Sequence, residues 1–249
     1  SFEIDWMSIY KFKCASLDRM VFDRIIFVGD SAHVVSPFGA RGGNGGIHDV
    51  DNLGWKLASI LKDNTSDNIL NTYNEERIEA AKENIANSSR ATNFMTPKNK
   101  MAKAFRDQVL DLSVNNQFFR NIINSGRLSV PFKLSGLRLD NEYRDDPLLG
   151  SIYVDFPILD RKGNRLFLTD VIANSYNLLS FSKIKIEFPF NLNIISVGEE
   201  NNEDFDFFDF EGKGLERYRA DLNYLIRPDG YIVGIFKEIN ISALEECML

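Results

Sequence analysis

At 249 residues, with 44% hydrophobic and 12% aromatic side chains, the chain can fill one large or two modest cores, which excludes a disordered protein. Its net charge of −7, from 29 basic and 36 acidic residues, offers no basic surface for nucleic acid. Two distant cysteines, Cys14 and Cys247, and two histidines, His33 and His48, make neither a disulfide framework nor a zinc set. No apolar run approaches the roughly 18 residues of a membrane span. No signal peptide is expected, and the cysteine usage points to a reducing, cytoplasmic setting.

The chain opens in strand pattern. Phe2, Ile4, Trp6, Tyr10, Phe12 and Cys14 share one parity, while Glu3, Asp5, Lys11 and Lys13 share the other. That is the period of a half-buried strand. Nothing precedes it to pair with, and residue 1 is Ser, so an N-terminally truncated chain is expected. Ile25-Ile-Phe-Val28 reads as a central parallel strand buried on both faces. It ends at Gly29-Asp30, and a glycine-rich loop follows through Gly39, Gly42, Gly43, Gly45 and Gly46.

A helix is predicted over 45–62, burying Ile47, Val50, Leu53, Leu57 and Ile60 or Leu61, with Asp49 and Asp51 complementing its dipole. A second, over 69–89, turns Leu70, Tyr73, Ala81 and Ile85 inward. Thr96-Pro97 marks a turn, and helical patterns resume at 101–112 and 118–124. The charged stretch 138–147 places a domain boundary between 144 and 145, giving domains 1–144 and 145–249. The second is β-rich. Ile184, Ile186 and Phe188 alternate, 192–197 is a buried run, and Asp229-Gly230 predicts a hairpin joining 224–227 to 231–236. Residues 201–209, acidic and rich in phenylalanine, read as a surface excursion, and a short helix closes the chain near 242–248.

A strand ending in an acid, a glycine loop and a helix start suit a flat, hydroxyl-bearing, partly anionic ligand. Glycines let backbone approach where a Cβ would collide, and a helix start carries unpaired N–H groups. The pattern Gly29-Asp30-x-Ala32-His33-x-x-x-Pro37-x-Gly39-x-x-Gly42-x-Asn44-x-Gly46-x-x-Asp49-x-x-Asn52-Leu53-x-Trp55-Lys56 resembles the second flavin motif of the FAD-dependent aromatic-ring hydroxylases. Asp5-Trp6-x-Ser8-x-Tyr10, Tyr73-x-x-Glu76-Arg77 and Asn87-Ser88-Ser89-Arg90 extend the likeness. Asp155-Phe156-Pro157-x-Leu159-Asp160-x-x-Gly163 and Leu225-Ile226-Arg227-Pro228-Asp229-Gly230-Tyr231 are similar to a thioredoxin-like domain, here without its dithiol.

The resemblance implies an α/β chain: a partial Rossmann-like FAD-binding domain followed by a thioredoxin-like domain. It implies FAD as cofactor, NAD(P)H as reductant, O2 as co-substrate and a phenolic or related aromatic substrate. By the same resemblance Asp30 contacts the ribityl chain, while Gly42, Gly43 and Asn44 present amides to the pyrimidine edge of the flavin. Pro37 and Gly39 shape the loop beside the ring. The family's upstream G-x-G-x-x-G, which holds the adenosine end, is absent from these residues, so the chain corresponds to less than half of the family's architecture. His33 reads as a structural histidine, His48 as a surface residue, and Arg41 as a phosphate or NAD(P)H contact or a solvated loop cation. Asn52, Trp55 and Lys56 read as packing residues. No catalytic acid or base is assigned, and a homodimer is possible. The competing expectation is a non-catalytic remnant or partner subunit. A thiol peroxidase is excluded, because no cysteine lies between Asp155 and Leu192.

Overall fold

The computed structural model describes residues 3–124, 130–135, 143–199 and 204–248. The chain forms two compact units, Ser1–Val130 and Pro131–Leu249. In the first, β1 (Ala15–Ser16) pairs antiparallel with β4 (His33–Val34). Between them, β2 (Val21–Phe22) and β3 (Ile25–Ile26) form a small hairpin whose turn holds Asp23 at φ 53°. Four helices follow: α1 (Arg41–Asp63), α2 (Ile69–Met95), α3 (Lys100–Ser113) and α4 (Gln117–Asn124). Asn99 caps α3, its Oδ1 accepting from the Ala102 amide at 2.8 Å. Met20, Val21, Ala32, Leu53, Tyr73, Ile78 and Ala81 make the core of this unit.

Three expectations for the first unit are corrected. The run 25–28 is no central parallel strand: only Ile25–Ile26 pair, with their own hairpin partner, and Ile25 is largely exposed. Residues 3–14 have the alternation of a strand but are extended and unpaired, mostly exposed; Phe2 lies outside the described residues. Alternation states which face would be buried, but a strand needs a neighbour to bond. The inner face of α1 is also not the expected apolar stripe. Ile47, Val50 and Leu61 are exposed, while Asp49, Asn52 and Lys56 are buried beside Leu53.

The second unit is built on a mixed sheet. Its strands are β5 (Pro157–Asp160), β6 (Arg165–Phe167), β7 (Asn177–Ser180), β8 (Asn193–Gly198), β9 (Phe207–Phe208), β10 (Asn223–Ile226) and β11 (Ile232–Phe236). They lie in the order β11-β10-β7-β8-β9-β5-β6. A short helix, α5 (Leu168–Val171), follows β6, and α6 (Ile241–Met248) closes the chain. The β10–β11 hairpin is antiparallel to β7, and β7 is parallel to β8.

The hairpin forms where Asp229-Gly230 predicts it. Gly230 takes φ 82°, and Asp229 closes a buried ion pair with Arg227 at 2.7 Å. Residues 181–192, which join β7 to β8, contain no helix, and the strand expected over 184–188 does not form there. Ile184 and Phe188 instead lay their side chains on a core cluster. The excursion expected over 201–209 is corrected from Phe207 onward, since β9 joins the sheet between β8 and β5 and Phe208 is buried; residues 201–203 lie outside the described residues.

The units divide between 130 and 131, ahead of the expected 144/145. The reason is Leu134. Its side chain is buried in the second unit's core, and its amide donates to Gly150 O at 2.8 Å. Gly150 itself has φ +78°, and a Cβ there would lie 2.4 Å from Leu134 O. Gly150→Ala is therefore expected to destabilise the second unit by about 3 kcal/mol, through backbone strain and displacement of 131–135. Urea unfolding followed by tyrosine fluorescence would show it as a lowered midpoint.

Candidate functional site

The Gly-Asp turn is held from behind and open in front. Val28 is extended, and Gly29 takes φ 56°, a left-handed conformation that would strain a side chain. Residues Gly29–Ser31 form a 3-10 turn closed by Ser31, whose Oγ donates to Val28 O at 2.7 Å. Asp30 stands at the exposed apex. Among the described residues its carboxylate accepts no hydrogen bond, although every neighbour is tied down.

The tie is Asp49, on the third turn of α1 and fully buried. One carboxylate oxygen accepts from the Gly29 amide at 2.9 Å and from His33 Nε2 at 2.7 Å; the other accepts from Arg77 Nε at 2.7 Å. An ionised carboxylate only accepts, so His33 carries its hydrogen on Nε2. Burial alone would push the Asp49 carboxyl up. The hydrogen bond from His33 and the charge of Arg77 outweigh it and hold the carboxyl below the usual range. Tyr73 donates to Phe27 O at 2.8 Å, and its phenol is pushed well up by burial and by the nearby Asp49 charge.

The glycine loop supplies the second half of the site. Pro37 O accepts from the Ala40 amide at 3.2 Å, and Gly39 at φ 88° completes that turn. Ala40 then caps α1 in a left-handed conformation, φ 52°, with no side chain able to bond the helix start. Gly42 and Gly43 fall at the second and third helical positions, where amides have no intrahelical acceptor. The space a Gly43 side chain would fill is open to 4 Å, and one on Gly42 would meet only Val35 Cγ2 at 3.6 Å. Asn44 turns back, its Nδ2 donating to Ala40 O at 2.7 Å, which leaves the helix end clear. The first turns of α1 pack on the Gly-Asp turn: a Cβ on Gly46 would lie 3.4 Å from Gly29 Cα. An exposed acid and an uncapped helix start are thus fixed to one another, and they fit the hydroxyl chain and oxygen-rich rim of a flavin.

Arg41 is corrected. It is buried rather than solvated, and its Nη1 donates to Asn84 Oδ1 at 2.9 Å, so it is not offered to a phosphate. His48 is half-buried rather than at the surface. Asn52 and Lys56 do pack, but as a polar set: Lys56 Nζ reaches Asn52 Oδ1 at 2.8 Å and Glu76 at 3.0 Å, and Asn52 donates to the same Glu76 oxygen at 2.7 Å. Sequence reasoning missed the roles of Asp49, Arg77 and Asn84. Asp49 and Arg77 both stood inside the quoted motifs, and a helix whose polar residues repeat on the face turned to a glycine loop was the available signal.

The second unit offers less. A cavity of about 390 Å³ is lined by Asp160, Arg161, Asn193 and Phe207 among others. Arg161 already bonds Asp206 at 3.0 Å, and the Asp160 carboxylate accepts from Lys162 and Asn164, so these polar groups are internally satisfied. Cys247 has its thiol pushed up to about 11 by burial, which makes it a poor nucleophile. No group of metal-ligating side chains, and no helix long and apolar enough to cross a membrane, occurs among the described residues.

Residues 1–88, which contain this site, match the family model described as FAD binding domain. Over part of its length the chain is similar to flavin-dependent monooxygenases and aromatic hydroxylases. One such enzyme of Mycobacteroides abscessus is 39% identical over 79 residues, which are 32% of this chain and 16% of that protein. The 3-(3-hydroxy-phenyl)propionate/3-hydroxycinnamic acid hydroxylase of Escherichia coli is 34% identical over 101 residues, 41% of this chain and 18% of that one. Among solved structures, aklavinone-11 hydroxylase in ternary complex with FAD and aklavinone matches with a TM-score of 0.67 at 19% identity. That match spans 96% of this chain and 46% of that one. The matched parts thus amount to less than a fifth of each curated relative and under half of the solved chain.

Removing Asp49 leaves Arg77 buried without its partner. Asp49→Ala is expected to cost about 3–5 kcal/mol of stability in the first unit. The lowered carboxyl also sets a sign with pH. Its contribution is complete above the ordinary carboxylate value of about 4 and is lost as pH falls through the depressed folded value. Chemical denaturation at neutral and at acid pH should therefore show a loss on acidification that is smaller in Asp49→Asn.

Proposed function

We propose that this chain is the flavin-facing part of an FAD-dependent, NAD(P)H-consuming monooxygenase that hydroxylates a phenolic or related aromatic substrate. The observation that carries the reading is the pairing of an unengaged, exposed Asp30 with the uncapped glycine start of α1, both fixed by Asp49. Bound FAD would supply the redox chemistry that carries electrons from NAD(P)H to O2 and places one oxygen atom on the ring. The chain's own residues would bind and orient. The Asp30 carboxylate would accept hydrogen bonds from ribityl hydroxyls. The Gly42 and Gly43 amides would face the pyrimidine rim, where a helix start stabilises negative charge by about 0.3–1 kcal/mol, and up to about 2 when partly buried. Asn44, bonded back to Ala40, would keep the helix end clear for that rim, and the Pro37–Gly39 turn would set its distance.

The residues that would hold the adenosine end lie outside this sequence, which has no G-x-G-x-x-G. The exposed Ile4, Trp6, Ile9 and Tyr10, and the outward Ile47 and Val50, support the view that further sheet belongs over this unit. The second unit, lacking a dithiol, would serve packing or dimer contacts. The names of the relatives favour polycyclic or phenylpropanoid phenols, without choosing between them.

Because the adenosine site would be missing, FAD and FMN should bind the 249-residue chain within about threefold of one another. Titration by flavin fluorescence, with NMR shifts at the Gly42 and Gly43 amides, would show it. Asp30→Ala, which removes no internal hydrogen bond, should weaken FMN by about tenfold with an unchanged melting temperature. A chain that shifts with neither flavin at millimolar concentration is instead a non-catalytic remnant or partner subunit. Tight stoichiometric FAD would refute the half-site.

A further inference from the structure

We infer that the polar face of α2 is the positioning element of the flavin loop, gripping both flanks of the segment that would meet the cofactor; this rests on the flavin reading above. Tyr73, Arg77, Asn84, Ser88 and Thr92 are spaced by four, seven, four and four residues, which places them on one stripe of the helix. At one end, Tyr73 holds Phe27 O at 2.8 Å, just before the Gly-Asp turn. Next, Arg77 holds Asp49, and through it the Gly29 amide, and also reaches Gly45 O at 3.3 Å. Asn84 holds Arg41, the first residue of α1, at 2.9 Å.

At the far end, the hydroxyls of Ser88 and Thr92 meet that of Ser36, the residue before Pro37, at 2.6 and 2.8 Å. Ser88 also donates to Ser36 O at 3.1 Å. The stripe thus runs alongside the ligand loop for 19 residues, roughly 28 Å of helix.

A helix that only supported a core would be expected to turn apolar residues inward. Burying hydroxyls, an amide and a guanidinium costs stability unless each is matched, and such sets are best explained by the register they impose. The groups that would touch flavin lack side-chain ties of their own. Asp30 is exposed and unengaged, and Gly42 and Gly43 have no side chains. Their relative placement is inherited from α2. Tyr73, Arg77, Asn84, Ser88 and Thr92 are accordingly positioning residues: they act through the loop and not on the cofactor.

The test uses the full chain with FMN as probe and the variants Tyr73→Phe, Ser88→Ala and their combination. Each removes hydroxyl grips with little change in volume. The expected result is an FMN dissociation constant raised at least tenfold in the double variant, with loss of the visible circular dichroism of bound FMN and a melting temperature close to that of the parent. Ser88→Thr, which keeps a hydroxyl, should restore both readouts relative to Ser88→Ala. Parental FMN affinity and dichroism in a folded double variant would overturn the inference while leaving the flavin reading intact. Should the double variant melt below the assay temperature, Ser88→Ala and Ser88→Thr decide by the same two readouts. A parent chain that binds no FMN overturns both the flavin reading and this one.

Discussion

One buried carboxylate organises the first unit. Asp49 takes three donors at 2.7–2.9 Å, from a backbone amide, a histidine and an arginine, and those donors come from the Gly-Asp turn, the strand after it and α2. No apolar contact could do this, because burial is non-directional while each of these bonds fixes an angle. The carboxylate is ionised because its partners outweigh its burial. The cost of desolvating the charge is met only while all three partners stay in place. The turn that presents Asp30 therefore has one geometry, and it is inherited from α1 and α2.

The second unit solves its folding problem in a different way. Its sheet buries apolar faces, with Leu178, Leu179, Ile195, Val197, Tyr224, Leu225 and Ile232 all nearly inaccessible. Directional bonds appear mainly at its turns, where Arg227 and Asp229 pair inside the hairpin and Tyr218 both donates to and accepts from the Val154 backbone. The link between β7 and β8 lays Ile184, Phe188 and Phe190 on the core.

Local signals were legible where a local cause decided the structure. The D-G hairpin forms because Gly230 can take a positive φ, and α2, α3, α4 and α6 follow their helical spacing within a few residues at most ends. The Gly-Asp motif gave the turn for the same reason, but Gly42 and Gly43, expected in the loop, lie in the first turn of α1, which starts at Arg41 and not at 45. The failures are all cases of missing or unexpected partners. Residues 3–14 and 25–28 carry strand pattern, yet strands exist by pairing, and the described residues offer 3–14 no ladder and 25–28 only a two-residue one. Residues 207–208 looked like surface because their neighbours are acidic, while they pair with both β8 and β5, which no local signal reveals. Arg41 and Asp49 looked like loop and dipole charges, because nothing in the spacing reveals that Asn84 and Arg77 wait on the next helix.

The orientation of α1 carries the argument one step further. Ranked by apolarity alone, Ile47, Val50 and Leu61 should face inward and Asp49, Asn52 and Lys56 outward, and the opposite holds. A helix takes that orientation when its polar side has matched partners worth more than the apolar side loses by staying wet. Here the partners are Arg77, His33, Glu76 and the Gly29 amide. The exposed apolar side then shares its character with the exposed arm 3–14, which has strand pattern and no ladder. Two exposed apolar surfaces on one unit, beside the glycine-rich start of α1, agree with the proposed reading. The inner face of α1 fixes the Gly-Asp turn, and its apolar outer face stays exposed among the described residues.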